Sequence, residues 1–180
     1  MTQRLMSKSQ LLETMRAQRQ QWEETLFAIG EERMTQPGLD GDWSARDIVA
    51  HTAAYERWLL EWLDATARGE SARPSVLDDS DATRRDHAAH KLTLAFPLDL
   101  VLGDSWLTFE RLSLAVERLA EMDLEDVSRA PQFVQRRWNG KTALSQAIAS
   151  LTYEHYQEHL PALRAWAHES PARYEECCTG

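Results

Sequence analysis

Cysteine is nearly absent from this chain. The two that occur, Cys177 and Cys178, are adjacent and close to the end. No other cysteine exists for them to pair with across the fold, so disulfides cannot hold it together. Residues 171–180 are expected to form a loose tail, with a redox or metal-binding pair as the alternative role for the two thiols. Glycine (7) and proline (6) are also scarce in 180 residues, which argues against a turn-rich β architecture and for helices. No apolar run approaches the ~20 residues that a membrane span needs, and the first residues lack the apolar stretch of a signal peptide. A cytoplasmic protein with no membrane partner is the expectation. Basic charge is in deficit as well: 20 Lys and Arg stand against 29 Asp and Glu, a formal net charge of −9. Such a field repels a phosphate backbone. The only basic concentrations are the pairs Arg84-Arg85 and Arg136-Arg137, which argues against a nucleic-acid partner.

What the chain does have is ordinary for a folded domain, 43% hydrophobic and 27% charged residues, with no composition break inside residues 1–170. A single domain is expected there. The seven tryptophans are expected to line a core or a cavity, because each buries a large area and wants one partner for its N–H.

Four long helices can be read in order. Ser7 to Gln10 has the form of a capping box. Leu11, Met15, Trp22, Leu26 and Ile29 then make one stripe, with Arg16, Arg19, Gln20 and Glu23 on other faces. The helix is expected to end near Gly30 or a turn later, before Gln36-Pro37-Gly38. Ser44 followed by Asp47 caps a second helix, running to about Arg68 before Gly69. Residues 70–83 are polar and read as a long loop, a possible cover for a site. A short helix follows over about Ala82 to Leu92, with His87 and His90 read as solvated surface histidines. Pro97 is expected to open a third long helix at its first position. Leu98, Leu102, Trp106, Phe109, Leu112, Val116 and Leu119 form its stripe, and Gly103 offers room for a close helix approach. After an irregular stretch containing Pro131 and Asn139-Gly140, Thr142 opens the last helix, ending near His168 to Ser170. With no strand-like alternation, this is an all-α, four-helix bundle with one short extra helix.

Chemistry concentrates in the last helix. His155 and His159 stand four residues apart and so share a face, one turn from each other. Leu144, Ile148, Leu151, His155, Ala162 and Trp166 follow the spacing of a core-facing stripe, with His159 at its edge. Imidazoles turned toward a core need partners. A metal ion shared at i, i+4 supplies both at once; separate hydrogen bonds within the core are the other account. A third ligand is best sought at His51, on the inner half of the second helix, between Asp47 and Tyr55 at one-turn spacings. Glu154 and Glu158 flank the pair as candidates for orienting ligands or transferring protons. Tyr55, Trp58, Trp62, Trp106 and Trp138 are candidate walls of an aromatic pocket over the metal, Tyr55 and Trp58 first among them, or else core.

The segment Gly41-Asp42-Trp43-Ser44-Ala45-Arg46-Asp47-Ile48-Val49-Ala50-His51 resembles the "WS…D…H" opening of the second helix in DinB/YfiT-like proteins. Tyr153 to His159 resembles the "HxxxH" segment of their last helix. The likeness runs in element order over about residues 7 to 168. Leu11 to Met34 and Asp42 to Leu63 also resemble the ClbS/DfsB branch, whose best-known member protects against the genotoxin colibactin. The DinB/YfiT-like resemblance implies a four-helix bundle holding one divalent metal, zinc or nickel, on three histidines, by position His51, His155 and His159. It also implies a homodimer, and thiol transfer from a low-molecular-weight thiol or hydrolysis of an electrophilic small-molecule substrate. The ClbS/DfsB branch implies instead a protein that binds or sequesters a toxin without metal catalysis.

Overall fold

The computed structural model describes residues 6–129 and 142–168. Expectations attached to Pro131, Arg136-Arg137, Trp138, Asn139-Gly140 and the tail with Cys177 and Cys178 fall outside the described residues. Among those described, the regular elements are helices: α1 (Lys8–Ile29), α2 (Glu31–Met34), α3 (Ala45–Ala67), α4 (Ala82–Thr93), α5 (Leu98–Arg118), α6 (Glu121–Glu125), α7 (Leu144–Leu151) and α8 (Tyr153–His168), with single 3₁₀ turns at Val76–Asp78 and Val127–Arg129. The four long helical segments α1, α3, α5 and α7–α8 surround one hydrophobic core.

The caps sit where the short polar residues allow them. Ser7 Oγ accepts from the Gln10 amide while Gln10 Oε1 accepts from the Ser7 amide, at 3.3 and 3.0 Å. Ser44 and Asp47 reciprocate in the same way at 3.3 and 2.9 Å. Each box satisfies donors that a helix start leaves open, typically ~1 kcal/mol of stability. α1 stops at Gly30, whose φ of 78° costs a side-chain-bearing residue more than it costs glycine. Pro97 stands just ahead of α5 as its N-cap rather than at its first position.

Two expected stripes need correction. The last helix is two, because Thr152 leaves helical geometry at φ −123° and ψ −103°. Its hydroxyl bonds back to the Ile148 carbonyl at 2.7 Å, a bond known to bend helices. The inward face shifts across the break, so Leu160 and Leu163 are buried while Ala162 is exposed. In α5 the buried line is Val101, Ser105, Thr108, Phe109, Leu112 and Val116, and Leu102 and Trp106 face solvent. Gly103 is exposed, and a Cβ there would meet nothing within 4 Å, so it mediates no close approach.

The stripe of α1 is buried as expected, but Arg19 is buried with it. Its guanidinium donates to Tyr156 Oη at 3.1 Å and to Ser105 Oγ at 3.2 Å. It lies 3.8 Å from the carboxylate of Glu56, which is fully buried. Tyr156 in turn donates a short hydrogen bond to Glu56 and stacks on fully buried Trp22, ring centroids 4.8 Å apart. A polar knot from α1, α3, α5 and α8 thus sits inside an otherwise apolar core.

Candidate metal centre

The capping box at Ser44 starts α3 at a defined residue and places His51 two turns in, on the face toward α8. The break at Thr152 starts α8 afresh, which puts His155 within its first turn and His159 one turn further. The three rings converge. His51 Nε2 and His155 Nε2 are 3.0 Å apart, and the His51–His159 and His155–His159 ring centroids lie at 5.4 and 5.0 Å. One ring nitrogen from each falls within 4.8 Å of the others. Neither His51 Nδ1 nor His159 Nε2 has a hydrogen-bond partner among the described residues, although both atoms are buried.

Burial sets the charge of the trio. It holds the His51 imidazole far below its ordinary value, down to about 4, with Asp86 pulling the other way and His159 and His90 adding to the depression. Burial lowers His159 too, against Glu158, Asp40 and Asp86. Both imidazoles are therefore neutral near pH 7 and keep lone pairs to donate, the state a metal ligand requires. A zinc ion at ~2.0–2.1 Å from each nitrogen asks for nitrogens roughly 3.3 Å apart. The His51–His155 pair already meets that spacing within a few tenths of an ångström. The donor set, the close approach and the orphaned nitrogens fit a single divalent ion.

The trio opens into a cavity of about 490 Å³ lined also by Tyr55, Asp78, Ser80, Ala82, Arg85, Asp86, Ser150, Leu151 and Glu158. An apolar, aromatic wall was the expectation; Tyr55, Ala82 and Leu151 supply part of one, and the other residues that line the cavity are polar or ionisable. α4, capped by Asp81 accepting from the Arg84 amide at 3.1 Å, carries the residues that sequence reasoning missed. Asp86 Oδ1 accepts from the Tyr55 hydroxyl at 2.8 Å and stands 3.9 Å from His51 Nδ1. Arg85, itself buried, donates to Tyr55 Oη at 3.3 Å and to the Asp79 carbonyl at 2.8 Å. Burial pushes the Tyr55 phenol up to about 12, so its O–H stays a donor. The inward spacing of Arg85, Ala89 and Thr93 was the available signal, hidden by the surrounding charge.

His90 also needs correction. It is not a solvated histidine but stacks on the Trp43 indole, centroids 4.5 Å apart and 19° from parallel. Its Nε2 lies 3.5 Å from Asp47 Oδ1. The same indole meets His51 edge-on at 5.3 Å. Trp43 is held by a tight turn in which its amide donates to the Asp40 carbonyl at 3.0 Å, with Gly41 at φ 60°. His87 is exposed.

Of the other expected residues, Tyr55 and Glu158 line the cavity. Glu154 is exposed and does not; burial and the neighbouring Glu158 raise its carboxyl above the usual range. Trp58 is buried behind the wall, donating its indole N–H to Asp78 Oδ1 at 3.2 Å. It anchors the 3₁₀ turn of the 70–83 connection, and Asp78 and Ser80 of that connection reach the cavity. Trp62 is half-buried against the core, and Trp106 belongs to a different face.

No protein-family model and no curated protein sequence matches the chain. A crystal structure of an uncharacterised protein from Escherichia coli UTI89 superposes with a TM-score of 0.71, covering 89% of this chain and 92% of that one at 16% identity. At that identity the likeness shows a shared fold.

Proposed function

We propose that His51, His155 and His159 hold one divalent ion, zinc or nickel, and that the protein works as a DinB-like metal-dependent enzyme on an electrophilic small molecule. The observation that carries this reading is the convergence of three ring nitrogens within 4.8 Å in a cavity, two of the rings each keeping a buried nitrogen without a hydrogen bond. When bound, the ion supplies Lewis acidity and lowers the pKa of a water or thiol in its remaining position, giving a nucleophile at neutral pH.

The chain's own residues have separable parts. The three imidazoles converge on one point, and burial keeps His51 and His159 neutral, with lone pairs to donate. Asp86, 3.9 Å from His51 Nδ1, favours by its charge a proton on that nitrogen, which leaves Nε2 to ligate; the Tyr55 hydroxyl, itself bonded by Arg85, holds that carboxylate in place. Glu158 is the carboxylate on the cavity wall that can take a proton from an incoming thiol or water. Ser80, on the cavity wall, offers a hydroxyl to a polar substrate, and the connection carrying Asp78 limits access of water. The resemblance to DinB/YfiT-like proteins supports thiol transfer or hydrolysis as the reaction class, a low-molecular-weight thiol as co-substrate, a homodimer and a cytoplasmic setting.

Elemental analysis of the purified protein, followed by turnover of a panel of electrophiles with and without thiols, tests the reading. One ion per chain and thiol- or water-derived products support it. Stoichiometric protection that leaves the electrophile unchanged would assign the protein to sequestration instead.

A further inference from the structure

A second cavity, of about 630 Å³, lies between α1, α2 and the opening turns of α3 and α5. Val49 lines it, whereas His51 lines the other. Two residues apart on a helix means about 200° of rotation, so the two cavities occupy opposite sides of α3. Its wall is apolar: Leu26, Phe27, Met34, Leu98, Leu102 and Trp106. Two of those rings stand unusually open, Phe27 at 90% and Trp106 at 55% exposure. Large aromatic surfaces left in water beside a concavity mark a place where something binds.

Charge says what. The cavity also presents Glu23, Glu31 and Asp99 against a single cation, Arg19. That guanidinium needs no anionic ligand, because Glu23 accepts from it at 2.8 Å and Glu56 faces it at 3.8 Å. Glu31 and Asp99 are exposed and have no ion-pair partner among the described residues. An anion would therefore meet an excess of carboxylates. A second copy of this chain packed on this face about a two-fold axis would set the same acid-rich patch against itself, in a protein whose net charge is already −9. A cation with an apolar body answers both features, its body on Leu98, Leu102 and Met34 and its charge over the Trp106 and Phe27 faces beside Glu31 and Asp99.

We propose that this cavity is a binding site for small lipophilic ammonium ions, separate from the histidine centre and independent of the reading given above for it.

Three probes with one carbon frame test it: 4-phenylbutylamine, 4-phenylbutanol and 4-phenylbutanoate, titrated calorimetrically and by tryptophan fluorescence. The amine should bind about tenfold more tightly than the alcohol, the worth of one desolvated cation–π contact with a neighbouring carboxylate, and the carboxylate most weakly. Trp106→Ala should weaken amine binding about tenfold. Because Trp106 is over half exposed, that variant should fold, and Phe27→Ser gives the same test on the opposite rim. Glu31→Gln with Asp99→Asn should abolish the preference for amine while alcohol binding persists. Equal binding of the three probes, or no binding, overturns the proposal. So does amine binding that survives Trp106→Ala but is lost in His159→Ala. Sedimentation showing a dimer that Trp106→Arg splits also overturns it, since this face would then be a subunit contact.

Discussion

Two buried polar clusters share helices α3 and α8, and they differ in how far the chain completes them. Glu56 and Tyr156 follow directly after Tyr55 and His155 in sequence. In the first cluster Arg19, Glu56, Tyr156 and Ser105 answer one another: the guanidinium donates to phenol and hydroxyl, the phenol donates to Glu56 Oε1, and Glu56 Oε2 faces the guanidinium at 3.8 Å without a hydrogen bond. In the second, three imidazoles meet, and His51 Nδ1 and His159 Nε2 are left without a hydrogen bond among the described residues. A buried polar group without a partner costs roughly 1–3 kcal/mol. The first cluster answers its charges from within and serves structure, although Glu56 Oε2 has only the guanidinium's charge and no hydrogen bond. The second, among the described residues, leaves a ring nitrogen on two of its three histidines without a hydrogen bond and has no cation of its own, and that difference separates a scaffold from a candidate site.

The sharpest way to break the comparison is at Arg19. Arg19→Met should strand Glu56 in the core and cost about 3–5 kcal/mol in urea or thermal unfolding. Arg19→Met with Glu56→Met should recover most of that loss. A single-variant loss below about 1 kcal/mol would mean that the carboxylate is not held by this pair.

The same knot sets a pH dependence. Burial raises the Glu56 carboxyl from its ordinary 4.5 to about 7, against the pull of Arg19 and Tyr156. The native state then binds more protons than the unfolded chain between those values. Its contribution to stability is full below pH 4.5 and lost as pH rises through about 7, an effect on the order of 2–3 kcal/mol across the window. Glu56→Gln should flatten that slope in melts at pH 5, 6, 7 and 8; parallel curves for variant and wild type would contradict the shift.

At the incomplete cluster, adding the missing partner should stabilise the fold. Zinc or nickel at a hundred times its dissociation constant should contribute about 2.7 kcal/mol to unfolding stability, and chelation should remove it. His155→Ala should unfold at one temperature with or without the ion. A wild-type melt indifferent to both metal and chelator would leave three histidines that only fill space.

The scaffold side of this comparison was legible in the sequence. Ser7 with Gln10 and Ser44 with Asp47 marked helix starts to the residue, and the stripe from Leu11 to Ile29 is buried as its spacing requires. So was the clustering of the three histidines, because His155 and His159 share a face by spacing alone and His51 lies on an inward one. The partners across space were not. Arg19 was placed on an outer face because charged side chains seldom enter a core; nothing local announces Glu56, 37 residues on in α3, as its partner. Thr152 reads as an ordinary helical residue until its hydroxyl takes the Ile148 carbonyl, and that break moved the buried line from Ala162 to Leu160 and Leu163. Asp86 and His90 reach the site only because α4 folds over α3, which no periodicity states.

Asp86 offers a finer cut. Its carboxylate faces His51 Nδ1 at 3.9 Å while fixed by the Tyr55 hydroxyl. Partners of this kind are worth 10–100-fold in metal affinity, and at this distance the lower end is expected. Asp86→Asn should weaken the ion about tenfold, ~1.4 kcal/mol, without a matching loss of metal-free stability. If stability falls and affinity does not, Asp86 belongs to the scaffold cluster's kind.

The smallest effect is expected at Trp58, which tests where scaffold ends and site begins. Its ring is buried, yet its indole N–H reaches Asp78, one of the residues lining the histidine cavity. Trp58→Phe keeps an aromatic ring in the core and removes the donor, so it should cost about 1 kcal/mol, the net worth of one hydrogen bond together with modest repacking. The loss should be local. Leu77 is buried and its amide donates to Ser75 Oγ at 3.2 Å inside the same turn, so hydrogen exchange at Leu77 should speed up while α3 amides stay protected. Metal affinity should hold, because the lost donor serves Asp78 and not one of the three imidazoles. Should the ion bind tenfold more weakly instead, Trp58 would belong to the centre itself, and the boundary drawn here between the two clusters would move one helical turn along α3.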